Sequence, residues 1–176
     1  MTCRGILLTV LGAVVVLSGC GGAPSPSRSP APGEPLVKGF VFSWGPHKPK
    51  NVLDTVHGTF TKDMVLASPL TVPFRLDSAE VADIARRVAA IDFWSYPAHY
   101  VSHGSGPRFE PPAGFENSAS LTVVTHQGSK TVEWSGGYYA DDGRAQALHE
   151  LAAYITRLVV SSPQYERLPP AEGGYL

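Results

Sequence analysis

The sequence has almost no net charge and contains no block of basic residues. Its 14 lysines and arginines nearly balance 15 aspartates and glutamates, and the formal net charge is −1. Surfaces that bind nucleic acid or anionic lipid usually carry clustered Lys and Arg. The charge pattern therefore argues against both kinds of partner.

The sequence also lacks the short motifs that mark common catalytic sites. It contains no Gly-x-Ser-x-Gly pattern of a nucleophile elbow. Carboxylates that could hydrolyse a glycan are limited to Asp141-Asp142, Glu110 and Glu116, and Asp141 or Asp142 has a simpler interpretation as the cap of a helix. We therefore predict no catalytic residue.

His99 and His103 have the four-residue spacing of paired metal ligands. This spacing brings two histidines to one face only on a helix, and Pro97 before them and Gly104 after them indicate a loop. No second paired motif supplies the remaining ligands of a zinc site. The sequence predicts no metal ligand and no cofactor.

No apolar run is long enough to cross a bilayer. The run from Ile6 to Leu17 is well short of the roughly 20 residues that a membrane-spanning helix needs. Arg4 precedes it and small residues follow it, which is the order of a secretory signal. We expect a cleaved signal peptide rather than a permanent span.

Cysteine is scarce, since the chain has only Cys3 and Cys20. The motif Leu17-Ser18-Gly19-Cys20 resembles the lipobox of bacterial lipoproteins, in which the cysteine thiol receives a diacylglyceryl group and the chain is cut just before it. The resemblance implies a lipoprotein signal peptide over 1–19 and a lipid anchor on Cys20. Cys3 would then be lost, which leaves no disulfide in the mature chain. The alternative is an ordinary signal peptide followed by a chance cysteine.

The chain after the signal divides into a tether and a domain. Residues 20–35 are almost wholly Gly, Ala, Pro and Ser, a composition typical of an extended spacer that reaches up to ~45 Å from the lipid. Residues 36–176 are sufficient for a single globular domain with its own core.

Hydrophobic periodicity predicts an α+β fold for this domain. Asp77 and Glu80 form a capping box before a helix, and apolar residues alternate in several short segments. We predict an antiparallel sheet of about five strands with two helices packed on one face, in the order strands, helix, hairpin, helix. The predicted strands cover 39–44, 55–65, 70–76, 118–125 and 131–135, and the helices 78–90 and 143–160.

Three segments in this order of elements resemble small bacterial envelope domains that have no assigned activity. They are Gly58–Thr61, Phe93-Trp94 and Lys130–Glu133. The resemblance implies the fold and supplies no functional residue.

The segment from Ser95 to Asn117 is a long loop that carries several aromatic residues. A connection of this length inside a small domain is usually either functional or disordered. Aromatic residues on a loop more often lie back over the edge of the core and cover it than form a surface for a partner or a glycan. If the domain has a partner-binding site, this loop is the first candidate. Gly136-Gly137-Tyr138-Tyr139 is a second candidate. The aromatic residues of the loop are Tyr96, Tyr100, Phe109 and Phe115.

Together these patterns predict an exported, lipid-anchored protein of a bacterial cell envelope. Gly21, in place of the Asp that would favour inner-membrane retention, indicates the outer membrane if the cell has one. We expect a non-catalytic binding module that contacts the membrane through Cys20 and binds an envelope protein or a glycan, but not nucleic acid. The alternatives are an envelope hydrolase, acting on cell-wall or periplasmic substrates, and a structural spacer.

Replacing Cys20 with Ala tests the predicted anchor. The variant lacks the thiol that the lipobox presents for acylation, so we expect it to leave the membrane fraction and to take up no labelled fatty acid. Fractionation and labelling of cells that express each form measure both effects. A variant that still pellets with membranes, and is labelled as strongly as the wild type, would contradict the lipoprotein interpretation.

Overall fold

The computed structural model describes residues 36–46, 50–110 and 118–173. The predicted signal peptide, lipid site and tether lie outside these residues, as do Phe115 and Glu116. No helix in the described part of the chain is both long and apolar enough to cross a membrane.

The domain contains nine short strands, three helices and one 3₁₀ turn within these described residues. The 3₁₀ turn covers Phe93–Ser95. The helices are α1 Ser78–Ala90, α2 Gly143–Val160 and α3 Pro163–Glu166. The strands are β1 Val37–Gly45, β2 Asn51–Asp54, β3 Thr59–Lys62, β4 Leu70–Pro73, β5 His99–Tyr100, β6 Arg108–Phe109, β7 Ser118–Thr125, β8 Ser129–Ser135 and β9 Tyr138–Tyr139.

The prediction of an α+β fold is confirmed, but the sheet differs in detail from the one expected. It has seven strands in the order β4-β3-β2-β1-β7-β8-β5, and β6 and β9 form a separate pair. The sheet is mixed rather than antiparallel, because β5 lies parallel to β8. A two-residue strand carries no periodic signal, so β5 could not be recognised from the sequence.

A tight turn explains one further difference, since the strand expected over 55–65 covers only Thr59–Lys62 and the unpredicted strand β2 precedes it. The Asp54 carboxylate accepts hydrogen bonds from the backbone N–H groups of Val56 and His57, both at 2.9 Å. Gly58 then takes φ +68°, a conformation that glycine adopts without steric cost. The chain therefore reverses after β2 and returns as β3.

One face of the sheet forms the core with α1 and α2. Phe42 and Phe60 are fully buried, and alternate residues of β1, β2, β3, β7 and β8 point to the same side. Ile84 of α1 and Leu148 of α2 belong to the same apolar cluster. Both helices thus pack on one face of the sheet.

The other face of the sheet carries mainly polar side chains, many of them Ser and Thr, and none of the described helices covers it. Ser43 and Ser120 share a hydrogen bond of 2.8 Å across β1 and β7, and Thr61 and Thr71 share another of 2.8 Å. One cross-strand row passes through all seven strands, and its members are Thr71, Thr61, Val52, Ser43, Ser120, Glu133 and His99.

Both long helices begin at aspartate caps. The Asp77 carboxylate accepts from the backbone N–H of Glu80 at 2.7 Å, and Glu80 accepts from that of Asp77 at 2.8 Å, which confirms the predicted capping box. Asp142, rather than Asp141, caps α2. The cap of α2 places a carboxylate beside the long loop that precedes β7.

Candidate functional site

The Asp142 carboxylate fastens the long loop to the start of α2. It accepts the backbone N–H groups of Arg144 at 3.1 Å and Ala145 at 3.0 Å as the helix cap. It also accepts three donors from the loop, which are the Tyr100 hydroxyl at 2.8 Å, the Ser102 hydroxyl at 2.9 Å and the His103 backbone N–H at 2.9 Å. One carboxylate therefore satisfies a helix end and fixes the loop at the same time.

Asp141 fastens the next part of the same loop. Its carboxylate accepts the backbone N–H groups of Ser105 and Gly106, both at 3.0 Å. Glycine is required beside it, because a Cβ on Gly104 would lie 2.6 Å from the Cβ of Tyr139 and would collide with the Asp141 carboxylate. Gly104-Ser105-Gly106 thus has a structural role, because its backbone surrounds and binds the Asp141 carboxylate.

We name the contacts of Asp141 and Asp142 with the loop residues Tyr100 to Gly106 the clamp. Burial and hydrogen bonding fix the charge states of Asp142 and Tyr100 within it. Asp142 is only 8% exposed. Burial alone would raise the pKa of its carboxyl, but the hydrogen bonds from Ala145, His103, Tyr100 and Ser102 lower that pKa to about 2. Burial and the adjacent carboxylate raise the pKa of Tyr100 to about 12. Asp142 therefore acts as a permanent acceptor and Tyr100 as a permanent donor at neutral pH.

Tyr96 and Arg144 extend the clamp on its inner side. Tyr96 is 2% exposed, and its hydroxyl donates to the backbone carbonyl of Arg144 at 3.0 Å. The Arg144 guanidinium lies over the Tyr96 ring at 4.2 Å and over the Tyr100 ring at 5.6 Å, and it donates to the Ser95 hydroxyl. These two tyrosines therefore pack within the domain.

Beyond the clamp, the loop pairs with the segment that follows β8. The Ala140 backbone N–H donates to the Pro107 carbonyl at 2.8 Å, and Ser102 accepts the Tyr139 backbone N–H at 2.9 Å. In the β6–β9 pair, Phe109 lies opposite Tyr138. The structure thus joins the two segments that the sequence indicates as separate candidates for binding.

This pairing brings three rings together at the surface, in a stack of Tyr138 on His149 with the Phe109 ring tilted by 35° against Tyr138. The Phe109 and Tyr138 ring centroids are 5.0 Å apart, and those of Tyr138 and His149 are 4.4 Å apart. Phe109, at the outer end, is 54% exposed. Burial lowers the pKa of His149, against an opposing hydrogen bond with the Ser135 backbone, so the innermost ring is neutral at neutral pH.

A charged pair borders the stack. Arg108 forms an ion pair with Glu110, and its guanidinium lies over the Tyr139 ring at 5.1 Å. A Cβ on Gly137 would lie 2.7 Å from Glu110 Oε2 and 2.9 Å from Arg108 Nη2. Glycine at this position therefore leaves the space that the pair occupies. We name the surface formed by Arg108, Phe109, Glu110, Tyr138, Tyr139 and His149 the aromatic patch.

The patch is next to a shallow depression of about 160 Å³ that contains no deep cavity. Tyr138, Trp134 and His149 form part of its wall, together with Ser135 and Gly137. Small-molecule sites usually enclose 300 Å³ or more. This depression therefore lacks the volume of a small-molecule site.

The predicted loop residues occupy different environments. Tyr96 is buried, Tyr100 is partly buried against Asp142, and Phe109 is exposed. Phe115 lies outside the described residues. No sequence pattern distinguishes Arg108 or His149, because their roles arise only from the pairing of β6 with β9.

The two histidines with the spacing of metal ligands, His99 and His103, have different partners. His99 lies in β5 beside Glu133, at 3.2 Å, whereas the His103 backbone donates to Asp142. Across 36–46, 50–110 and 118–173, no group of three His, Cys, Asp or Glu side chains could hold a metal ion.

Comparison with known proteins gives no relatives, since no protein-family model and no curated protein matches the chain. The geometry of the patch and the clamp is therefore the basis for assigning a function.

Replacing Asp142 with Asn tests the clamp. The lowering of the Asp142 carboxyl pKa from 3.8 to about 2 corresponds to about 2 kcal/mol of stability. Because the folded pKa is the lower one, this stability is present above about pH 4 and is lost as the pH falls through about 2. We expect the free energy of unfolding of Asp142→Asn, measured by urea denaturation at pH 7, to be lower than that of wild type by about this amount, and the difference to shrink towards pH 2.

Asp92→Asn is the matched control for this measurement. Asp92 precedes the 3₁₀ turn with φ +52°, a conformation that Asn also tolerates, and its carboxylate makes no capping hydrogen bond. The Asp92→Asn substitution should therefore change the free energy of unfolding little at any pH. Equal urea midpoints for Asp142→Asn and wild type at pH 7 would show that the clamp does not stabilise the fold.

Proposed function

We propose that this protein is a lipid-anchored, non-catalytic binding module of a bacterial cell envelope, and that the aromatic patch is its binding surface. The observation that carries the proposal is the exposed ring of Phe109. It is held in a defined position by pairing with β9 and contact with the Tyr138 ring, yet more than half of its surface faces solvent.

Exposure of an ordered aromatic ring favours binding over coverage of the core. A ring that only covers the core would bury most of its area, as Tyr96 does. Aromatic residues and arginine are enriched at interaction sites relative to the rest of the protein surface. Phe109, with Arg108 beside it, fits this composition.

The clamp supports the same proposal, because it orders the loop before any partner arrives. A binding loop that is already fixed loses less conformational entropy on association. Asp141 and Asp142 together restrain five loop residues, between Tyr100 and Gly106. The patch follows directly after this restrained segment.

The position of the patch is suited to an anchored protein. The described domain begins at Leu36, directly before β1, and β1 ends at Gly45. Gly45 pairs with Ser118, and Ser118 pairs with Ser135, after which the chain forms β9. Nine residues of strand span roughly 30 Å. The patch therefore lies near the end of the sheet opposite the start of β1, at which the chain from Cys20 enters the domain.

The states of Asp142 and Glu110 favour a binding protein over a glycan hydrolase. A general acid for glycan cleavage needs a raised pKa, whereas the pKa of Asp142 is lowered and its oxygens accept five donors. Glu110 is paired with Arg108. Neither group is available as the acid of a hydrolase.

The remaining parts of the proposal follow from the sequence. They are a signal peptide over 1–19, lipidation at Cys20, a tether over 20–35 and one domain over 36–176. The destination we propose is the outer membrane where the cell has one.

Site-specific crosslinking in living cells tests the binding surface. A photoreactive phenylalanine analogue replaces Phe109 in the full-length protein, and the matched control carries it at Val101, which is 60% exposed in the same loop. We expect a specific crosslinked product from position 109 and a product at least about tenfold weaker from position 101. Equal products from both positions, or none from 109, would contradict the assignment.

A further inference from the structure

We propose that His149 makes the aromatic patch sensitive to acid, because the rings that support Phe109 pack together only while the His149 imidazole is uncharged. This inference rests on the proposed function and specifies how the same surface is regulated. Mild acidification loosens the patch and lowers the fraction of molecules that are ready to bind, and a return to neutral pH restores it.

His149 lies at the base of the patch, on α2. Tyr138 stacks on the imidazole, with 4.4 Å between the ring centroids and 24° between the planes. The Phe109 ring contacts Tyr138 in turn, with its centroid 5.0 Å away. A displacement of the imidazole therefore removes the support of Tyr138 and, through it, that of the exposed ring.

The surroundings of the imidazole offer no negative charge. Among the described residues, those that line the depression beside it contribute hydroxyl groups, rings and backbone, and none of them is a carboxylate. Phenols carry no charge near neutral pH. A protonated imidazole would therefore lose hydration without gaining an ion pair. The polar and aromatic lining residues are Tyr100, Ser102, Trp134, Ser135 and Tyr138.

The charged groups on the elements around His149 already have partners. On α2, Asp142 accepts five donors and Glu150 accepts the Gln146 amide at 2.8 Å. Glu133 of β8 lies beside His99 on the opposite face of the sheet. The remaining charged groups are Arg144, over the Tyr96 and Tyr100 rings, and Arg108, in its ion pair with Glu110.

Burial favours the neutral imidazole. It lowers the pKa of His149 below the ordinary value of 6.5, although a hydrogen bond with the Ser135 backbone acts in the opposite direction. Because the ordered patch has the lower pKa, protons bind better to a loosened patch. The ordering is therefore complete above about pH 6.5 and is lost progressively as the pH falls below this value.

A single histidine sets an upper limit on the effect. At pH 5.5, an imidazole with the ordinary pKa is protonated about ten times more often than it is neutral. Linkage therefore allows the equilibrium between the ordered and the loosened patch to shift by at most about tenfold at this pH. The apparent affinity for a partner depends on the fraction of molecules whose patch is ordered, so it can fall by no more than this factor.

Hydrogen exchange at two pH values tests the proposal on the full-length protein in detergent. Protection factors of the β6–β9 amides, corrected for the intrinsic effect of pH on exchange, are compared at pH 7.5 and 5.5, and NMR follows the titration of the His149 ring. We expect wild type to lose about three- to tenfold in protection at pH 5.5, and His149 to titrate below pH 6.5. The amides of β1 and β7 should stay equally protected.

Two glutamine variants identify the group that is responsible. Glutamine at position 149 stays uncharged, so His149→Gln should give the same protection of the β6–β9 amides at both pH values. His103 carries an exposed imidazole in the loop that the clamp holds, outside the ring contacts of the patch. His103→Gln is the matched control and should keep the pH response of wild type.

Equal protection of the β6–β9 amides at both pH values in wild type overturns the proposal. So does a His149 pKa of 6.5 or higher, which attraction of the imidazolium by the Tyr138 ring would produce, or a pH response that persists in His149→Gln. If His149→Gln loses this protection at both pH values, the titration of His149 in wild type decides.

Crosslinking from position 109 tests the proposed function separately. A pH response without a crosslinked product keeps the acid-sensitive element and removes the binding role. A crosslinked product without a pH response leaves only the proposed function.

Discussion

The structure of the functional region depends on the five hydrogen-bond donors that the Asp142 carboxylate accepts. Two come from the first turn of α2 and three come from the long loop, so one buried group joins a helix end to a segment some 40 residues earlier. A buried carboxylate without partners would be strongly destabilising, and here every donor supports the charged form. The need to satisfy this charge fixes the path of the loop.

The rest of the region follows from that constraint in order along the chain. Asp141 binds the backbone of Gly104-Ser105-Gly106, and Ser102 connects Asp142 to the Tyr139 backbone. The loop then pairs with β9 through β6. Phe109 is consequently presented on Tyr138 at the surface. The seven-stranded sheet provides the rigid support, because β8 ends directly before this region.

Local patterns were enough to predict some elements, whereas others depend on contacts between distant residues. The Asp77–Glu80 capping box and the apolar faces of α1 and α2 are local, and these helices lie where they were predicted. The parallel pairing of β5 with β8 has no local signal. The same holds for the site. The sequence indicates an aromatic loop and a Tyr-Tyr segment, but only tertiary pairing joins them and separates the buried Tyr96 from the exposed Phe109.

The central claim is that the two adjacent carboxylates hold the loop and thereby form the patch. Hydrogen exchange of backbone amides tests this most directly, with wild type compared with Asp142→Asn under conditions where both are folded. We expect the amides of His103, Ser105, Gly106 and the β6–β9 pair to be protected in wild type. In the variant they should exchange at least about tenfold faster, while amides of β1 and β7 stay protected. Unprotected loop amides in wild type, or unchanged exchange in the variant, would contradict the account.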